Sequence, residues 1–280
     1  MDWSKAKTIL IIALVFTNLF LAAFLYGGNE AKTQSASPEL MEEAEKILLR
    51  KDIKLDAKFP ETTNSAYNLI VEYENILPEA LNKSFFKDQG IIESTTALTE
   101  IYKGDESIVI INDKLIIYEN ETKAIGTSVA DVESAVALAL TFMEEKGYET
   151  DDMKLSFSQE TEDGFYLDFT KSLEDFYIEH SFTTFRIKDG EIRKMERTWL
   201  NIKEIKDTNY PIISAQKMIL ELISMEDTFG KTITDISLSY YFDPEKQDYL
   251  GEYQQAMEGN AVPAWRVQFE DGYDVILELD

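Results

Sequence analysis

Residues 147–157 read Gly-Tyr-Glu-Thr-Asp-Asp-Met-Lys-Leu-Ser-Phe, and residues 230–240 read Gly-Lys-Thr-Ile-Thr-Asp-Ile-Ser-Leu-Ser-Tyr. At this constant spacing Gly147 matches Gly230 and Asp152 matches Asp235. Met153 matches Ile236, Leu155 matches Leu238, Ser156 matches Ser239, and Phe157 matches Tyr240. Each glycine ends an apolar-periodic stretch, and each is followed by alternating strand-like residues. A C′ glycine accommodates the left-handed turn that closes a helix. The reading is therefore a helix, a glycine stop and a strand, used twice.

Further along, Phe185-Arg186-Ile187 with Asp189-Gly190 is echoed by Trp265-Arg266-Val267 with Asp271-Gly272. The spacing between the two echoes changes, so the insertions differ. In the first unit, Ser128-x-x-Asp131 opens a helix from Val129 to about Lys146. Strands are expected at Lys154–Phe157, Phe165–Thr170, His180–Lys188 and Glu191–Asn201, with Asp189-Gly190 as a two-residue turn. In the second unit, Ser214 caps a helix running to about Phe229. Strands follow at Asp235–Phe242, Ala264–Phe269 and Tyr273–Leu279. A short antiparallel sheet must have its apolar face covered, and one helix laid across it does that.

Upstream, Ser37-Pro38 supplies an N-cap with proline at N1. The helix that follows carries Leu40, Ala44, Ile47 and Leu48 on one face. Strand-like runs then lie at Lys54–Phe59, Tyr67–Tyr73, Ser107–Ile111 and Lys114–Glu119, the last two joined at Asn112-Asp113. Gly126-Thr127 marks a boundary. The expected exported domains are residues 38–126 and 127–280, the latter with repeat units 128–201 and 214–280.

The chain has 280 residues, 27 Lys+Arg against 53 Asp+Glu, no cysteine and one histidine. No disulfide, thiolate nucleophile, Cys-ligated metal or iron–sulfur cluster can form. With His180 alone, a histidine-rich metal site is excluded within one chain. The formal charge of -26 opposes nucleic-acid binding, whose phosphates need a basic surface.

The charge is not evenly spread. Residues 8–26 (TILIIALVFTNLFLAAFLY) hold no ionisable group except Tyr26. At ~1.5 Å per residue this run spans about 28 Å, one hydrocarbon core. Residues 1–7 form a short cytoplasmic end bearing Lys5 and Lys7, and the positive-inside rule orients it so. Residues 1–26 hold two lysines and one aspartate, so the remainder is one charge more negative than the whole chain. Trp3, Lys5, Lys7 and Tyr26 are the expected membrane-interface anchors. A cleaved signal peptide would have a shorter apolar region and a nearby cleavage site. The reading is an uncleaved anchor in the cell membrane, with residues 27–37 (GGNEAKTQSAS) as a tether and the acidic part extracellular.

Within the span, Asn18 shares a helical face with Ile11, Leu14, Val15 and Ala22. An asparagine in hydrocarbon seeks a partner, and an interhelical hydrogen bond contributes about 0.6–2 kcal/mol. Ala22, one turn away, allows close approach. These five residues are the expected contacts with a partner helix.

A search for chemistry returns little. The sequence lacks G-x-S-x-G, H-E-x-x-H, P-loop and G-x-G-x-x-G patterns. No cofactor and no dedicated metal site is expected. His180, between Glu179 and Ser181, reads as a surface or half-buried strand histidine, and Trp265 as a core anchor. Carboxylate pairs such as Glu144-Glu145, Asp151-Asp152 and Glu162-Asp163 arise by chance among so many acids. Asn82-Lys-Ser84 and Asn120-Glu-Thr122 match the N-glycosylation pattern, which matters only in a eukaryotic secretory pathway.

The N-terminal block Met1-Asp2-Trp3-Ser4-Lys5-Ala6-Lys7-Thr8-Ile9, running into Asn18-Leu19-Phe20-Leu21, closely resembles the start of the YycI (WalI) family. Pro263-Ala264-Trp265-Arg266-Val267 and the overall length also fit. The resemblance implies a non-enzymatic membrane regulator encoded beside the WalK/WalR two-component system of low-GC Gram-positive bacteria. It implies contacts with a YycH-like sister protein and a WalK-like sensor histidine kinase, and an α+β exported part without catalytic residues.

The expected architecture is α+β: one N-terminal transmembrane helix, then exported helix-on-antiparallel-sheet units, duplicated. The leading function is regulation of a sensor kinase through the span and the exported domain. An alternative class is an anchored extracellular module that binds a ligand or inhibits a protease. A third, a wall-active enzyme, requires a cleft with converging carboxylates.

Overall fold

The structure, a computed structural model, describes residues 38–60, 65–123, 129–246 and 256–279. The membrane span, its interface anchors, the tether and the boundary at Gly126-Thr127 lie outside the described residues. Every helix and strand below belongs to one α+β assembly dominated by a large sheet.

The first helix, α1 (Pro38–Leu49), is followed by the short strand β1 (Lys54–Leu55) and by β2 (Ser65–Tyr73). Then come helix α2 (Pro78–Phe86) and strands β3 (Ile91–Ser94), β4 (Leu98–Lys103), β5 (Glu106–Ile111) and β6 (Leu115–Asn120). Helix α3 (Val132–Glu145) leads into β7 (Met153–Thr161), β8 (Gly164–Leu173), β9 (Phe176–Lys188), β10 (Glu191–Thr198) and β11 (Leu200–Pro211). A four-residue helix, α4 (Ala215–Met218), and two 3-10 turns precede β12 (Thr232–Tyr241), β13 (Glu258–Phe269) and β14 (Asp274–Glu278).

The strands join in one sheet whose main path runs β11-β2-β13-β12-β9-β10-β6-β5-β4-β3, with β7 and β8 continuing from β9, β14 on β13 and β1 on β12. Pairing is antiparallel except β1 with β12 and β12 with β9. The pairs Ser239↔Tyr177 and Tyr240↔Ile178 are the short parallel link between two antiparallel blocks.

The first block is β7 to β10 extended by β6 to β3. Its alternation is clean. Leu167, Phe169, Phe185, Ile187 and Met195 face one side and pack with Ala135, Ala139 and Met143 of α3 and Phe85 and Phe86 of α2. Each fully buried Leu, Ile or Phe stabilises by about 1.5–3 kcal/mol. The partners in register on the other side are Asp168↔Thr184 and Thr170↔Phe182, a mainly polar face. The second block is β12 to β14. Trp265, Val267, Phe269, Ile236 and Leu277 pack under α1 (Ala44, Leu48) and α4 (Ala215, Met218). Its opposite face carries Ser237, Ser239, Arg266 and Gln268. A third, smaller cluster joins the blocks through Leu69, Val71, Ile178, Leu200, Tyr240 and Phe242.

Several sequence readings hold. The α1 face is as expected, with Ala44 and Leu48 buried. Asn112-Asp113 and Asp189-Gly190 form left-handed two-residue turns, with φ of 52° and 56°, and of 54° and 73°. Gly147 and Gly230 follow their helical stretches with φ of 87° and 78°. Trp265 is buried, its indole Nε1–H donating to the Ile213 carbonyl at 2.7 Å.

Others are corrected. The helix expected from Ser214 to Phe229 is broken into α4, a 3-10 stretch Ile219–Ser224 and a 3-10 turn Glu226–Thr228. The Ser224 and Thr228 hydroxyls donate to the carbonyls of Glu221, Leu222 and Met225, competing with the helical ladder. The α3 cap is Asp131, not Ser128: its Oδ1 accepts from Ser134 N–H at 2.8 Å. The strand expected over 191–201 ends at Thr198. After Trp199 the chain leaves for β11 and pairs with β2. The strands that follow the two glycine stops have different neighbours. β7 pairs with β8 alone, whereas β12 lies between β13 and β9.

Candidate functional site

The polar faces of the two blocks meet at a cleft of about 420 Å³ lined by Tyr73, Asp168, Thr170, Glu179, His180, Ser181, Phe182, Thr198, Arg266 and Asp274. Its origin is local. In β9, Ile178 opposes Lys171 while Phe182 opposes Thr170, so residues 179–181 bulge out of the ladder. His180 sits at the bulge with φ of 63°, a left-handed conformation that non-glycine residues adopt at a cost. Before the bulge, Tyr177 and Glu179 share a face. After it, Phe182 does. The bulge thus turns one strand so that it serves both blocks.

Two buried charges face each other there. Glu179 and Arg266 are only 7% and 4% exposed, and Arg266 Nε lies 3.6 Å from Glu179 Oε1. Asp274 Oδ2 lies 4.0 Å from the same Nε, at the cleft mouth. Arg266 also stacks on Tyr177 at 5.0 Å, and Lys154 approaches the same ring at 4.7 Å. Glu179 Oε1, Arg266 Nε and Asp168 Oδ1 are shielded from water yet have no hydrogen-bond partner.

Burial pushes the Glu179 carboxyl up to about 7, Arg266 pulling it back and Asp274 and Asp168 adding to the rise. Burial likewise pushes Asp168 up to about 6, again opposed by Arg266. Loss of water around the ring holds His180 below its usual range, partly offset by Asp243 and Asp274. The cleft therefore holds one permanent cation, an imidazole whose protonation is disfavoured, and two carboxyls, Glu179 and Asp168, that resist ionisation.

A second charged cluster is structural. Arg197, buried in the first block, donates from Nε and Nη2 to Glu74 at 3.0 and 3.2 Å and from Nη1 to Thr183 Oγ1 at 2.9 Å. Its guanidinium lies 4.5 Å from the Tyr148 ring and 4.2 Å from the Trp199 ring. Each of its three nitrogens donates a hydrogen bond, so the group braces the turn from β10 into β11.

The residues singled out in sequence fare differently. Asn18, Ala22, Val15, Ile11 and Leu14 lie outside the described residues, as do Trp3, Lys5, Lys7 and Tyr26. His180 is on a strand, as expected, but at the cleft rim. None of the adjacent acid pairs enters the cleft: Asp152 bonds Lys171 and Asp163 bonds Lys188. Asn82 is buried, its amide exchanging two hydrogen bonds with the backbone of Gly90 at 2.8 and 3.0 Å, so it offers no acceptor for a glycan. Among the described residues, no group of three or more His, Asp or Glu is placed to hold a metal ion. The carboxylates do converge, but Arg266 sits beside both Glu179 and Asp274. A glycosidase pair instead needs an open gap of about 5 Å or more between its two acids. Sequence reasoning missed Glu179, Asp168 and Asp274. The one visible signal was the Glu179-His180-Ser181 triplet, which interrupts the alternation of β9.

Fold and cleft together define an α+β protein built on one large, mostly antiparallel sheet with a charged seam between two blocks. The chain belongs to the YycI family: the family model described as YycI protein matches residues 31–277. The family is regulatory and is associated with WalK and YycH in two-component control. The crystal structure of an uncharacterized protein from Eubacterium rectale is similar in fold, with a TM-score of 0.52 at 10% identity over 85% of this chain and 93% of that one. The Bacillus megaterium YpeB C-terminal domain aligns over 87% of this chain and 99% of its own at 9% identity, with a TM-score of 0.36. No curated protein matches the chain.

Proposed function

We propose that this chain is a single-pass membrane regulator of a WalK-like sensor histidine kinase, acting with a YycH-like sister protein. The observation that carries the reading is the YycI match across residues 31–277, taken with the lysine-flanked apolar run that precedes it. Residues 8–26 cross the cell membrane with residues 1–7 in the cytoplasm. Residues 27–37 tether the acidic sheet domain outside.

The mechanism is a population shift. A sensor kinase moves between conformations of similar free energy. A neighbour that binds one of them about 1–3 kcal/mol better changes their ratio five-fold or more. Packing of Ile11, Leu14, Val15 and Ala22 plus one hydrogen bond from Asn18 is of that size. The exported domain adds contacts and fixes which partners stand beside the span.

The test compares the full chain with a secreted fragment starting at Pro38, in cells lacking the native copy, reading kinase target-gene output. Restoration by the full chain alone supports the proposal. Full restoration by the fragment favours the second reading, an anchored extracellular binding module, which the buried charges of the cleft also favour.

A further inference from the structure

The cleft at the β9 bulge is more than a seam. A buried guanidinium and a buried carboxylate would ordinarily close into a short, bidentate pair, because the cost of desolvating both is otherwise not recovered. Here Arg266 Nε and Glu179 Oε1 stop at 3.6 Å and neither makes a hydrogen bond. Asp168 Oδ1 from β8 is likewise unpartnered. Arg266 spends its planar face on Tyr177 instead.

The charges do not balance. Asp168 on β8, Glu179 on β9 and Asp274 on β14 face a single guanidinium from β13. Ser239 on β12 donates its hydroxyl to the Ala264 carbonyl at 3.3 Å, and loss of water disfavours a charge on His180 at the rim. Fully ionised, the cleft lining is two negative charges in excess; beyond the lining, the Lys154 ammonium rests on the Tyr177 ring and Asp243 faces His180. A small metal ion does not answer this, since the guanidinium sits beside two of the three carboxylates. An organic cation does: its charge is spread, it brings N–H donors for unpaired oxygens, and its carbon skeleton can lie against Tyr73 and Phe182. The volume of about 420 Å³ suits a molecule of amino-acid to dipeptide size.

We propose that this cleft is an extracellular binding site for a compact organic amine, held through its ammonium groups by Asp168, Glu179 and Asp274. Binding requires these acids to be ionised, so occupancy rises with pH through the range in which Glu179 and Asp168 lose their protons. The site goes beyond the regulator reading and stands or falls separately from it.

The probe is 1,4-diaminobutane, with 1,4-butanediol as its neutral counterpart, titrated calorimetrically into the full chain in detergent. Primary amines of this kind stay protonated well above neutrality, so any pH dependence belongs to the protein. The diamine is expected to bind at pH 8, at least ten-fold tighter than at pH 5.5, with no heat from the diol. Glu179→Gln and Asp168→Asn should each weaken binding ten-fold or more. The second variant keeps the test valid if the first does not fold. Absence of diamine binding at pH 8, equal binding of the diol, an affinity independent of pH, or unchanged affinity in folded variants would each overturn the proposal. So would binding of magnesium ion in the diamine's place.

Discussion

Arg266 Nε lies 3.6 Å from Glu179 Oε1 across the junction of two antiparallel blocks, and neither atom has a hydrogen-bond partner. One residue comes from β13 in the second block. The other comes from the bulge of β9, a strand that serves both blocks. An interaction placed there senses how the blocks sit together, and burial makes it sensitive to protonation.

Glu179 should therefore cost stability at neutral and alkaline pH. Its carboxyl is raised to about 7 in the fold, from 4.5 when exposed. The folded state keeps its proton where the unfolded state has lost it. The group is without penalty below the lower value, loses stability as pH rises between the two, and carries the full penalty above the higher. Glu179→Gln is expected to raise stability near pH 8 by about 2 kcal/mol more than near pH 5. Urea midpoints of the full chain in detergent at the two pH values check this. An equal change at both would contradict it.

Arg197 behaves oppositely, because each of its guanidinium nitrogens has a hydrogen-bond partner. It forks onto Glu74 and bonds Thr183 between two aromatic rings. Arg197→Lys keeps the charge but loses the fork and the stacking, and should cost about 2 kcal/mol or more. A double-mutant cycle with Glu74→Gln should give a coupling of about 1–3 kcal/mol, measured by denaturant unfolding.

Gly272 tests how the blocks touch. Its φ is 82°, and a Cβ there would come within 2.8 Å of the Phe157 ring from β7. Gly272→Ala should destabilise by about 1–2 kcal/mol from the backbone alone, with the clash in addition. Combined with Phe157→Leu, the loss should be smaller than the sum of the two single losses, since a smaller side chain removes the clash. Thermal midpoints of the four proteins decide this.

Local features were legible in the sequence because they depend on nearby residues. The Asn112-Asp113 and Asp189-Gly190 turns, the helix stops at Gly147 and Gly230, and the alternation of β8 and β9 are of this kind. So is Trp265, whose size and apolar neighbours mark a core residue. The break of 214–229 was hidden, because Ser224 and Thr228 read as ordinary helix positions until their hydroxyls take the carbonyls. Helix α2 was hidden between strand-like runs, although Pro78 and Glu79 begin it in the usual way. Of the cleft, only the Glu179-His180-Ser181 break in the alternation of β9 was legible. Asp168, Glu179, Arg266 and Asp274 are far apart in the chain, and the parallel pairing of β9 with β12 that gathers them has no local signature.

Regulation through the span requires a partner helix at Asn18, and a photo-crosslinking residue placed there in the full chain, activated in native membranes, captures what it touches. Adducts to the sensor kinase or its YycH-like sister are expected, lost when the crosslinker is moved to the opposite face at Phe20. Adducts only to lipid, or the same adducts from both faces, would contradict regulation through the span.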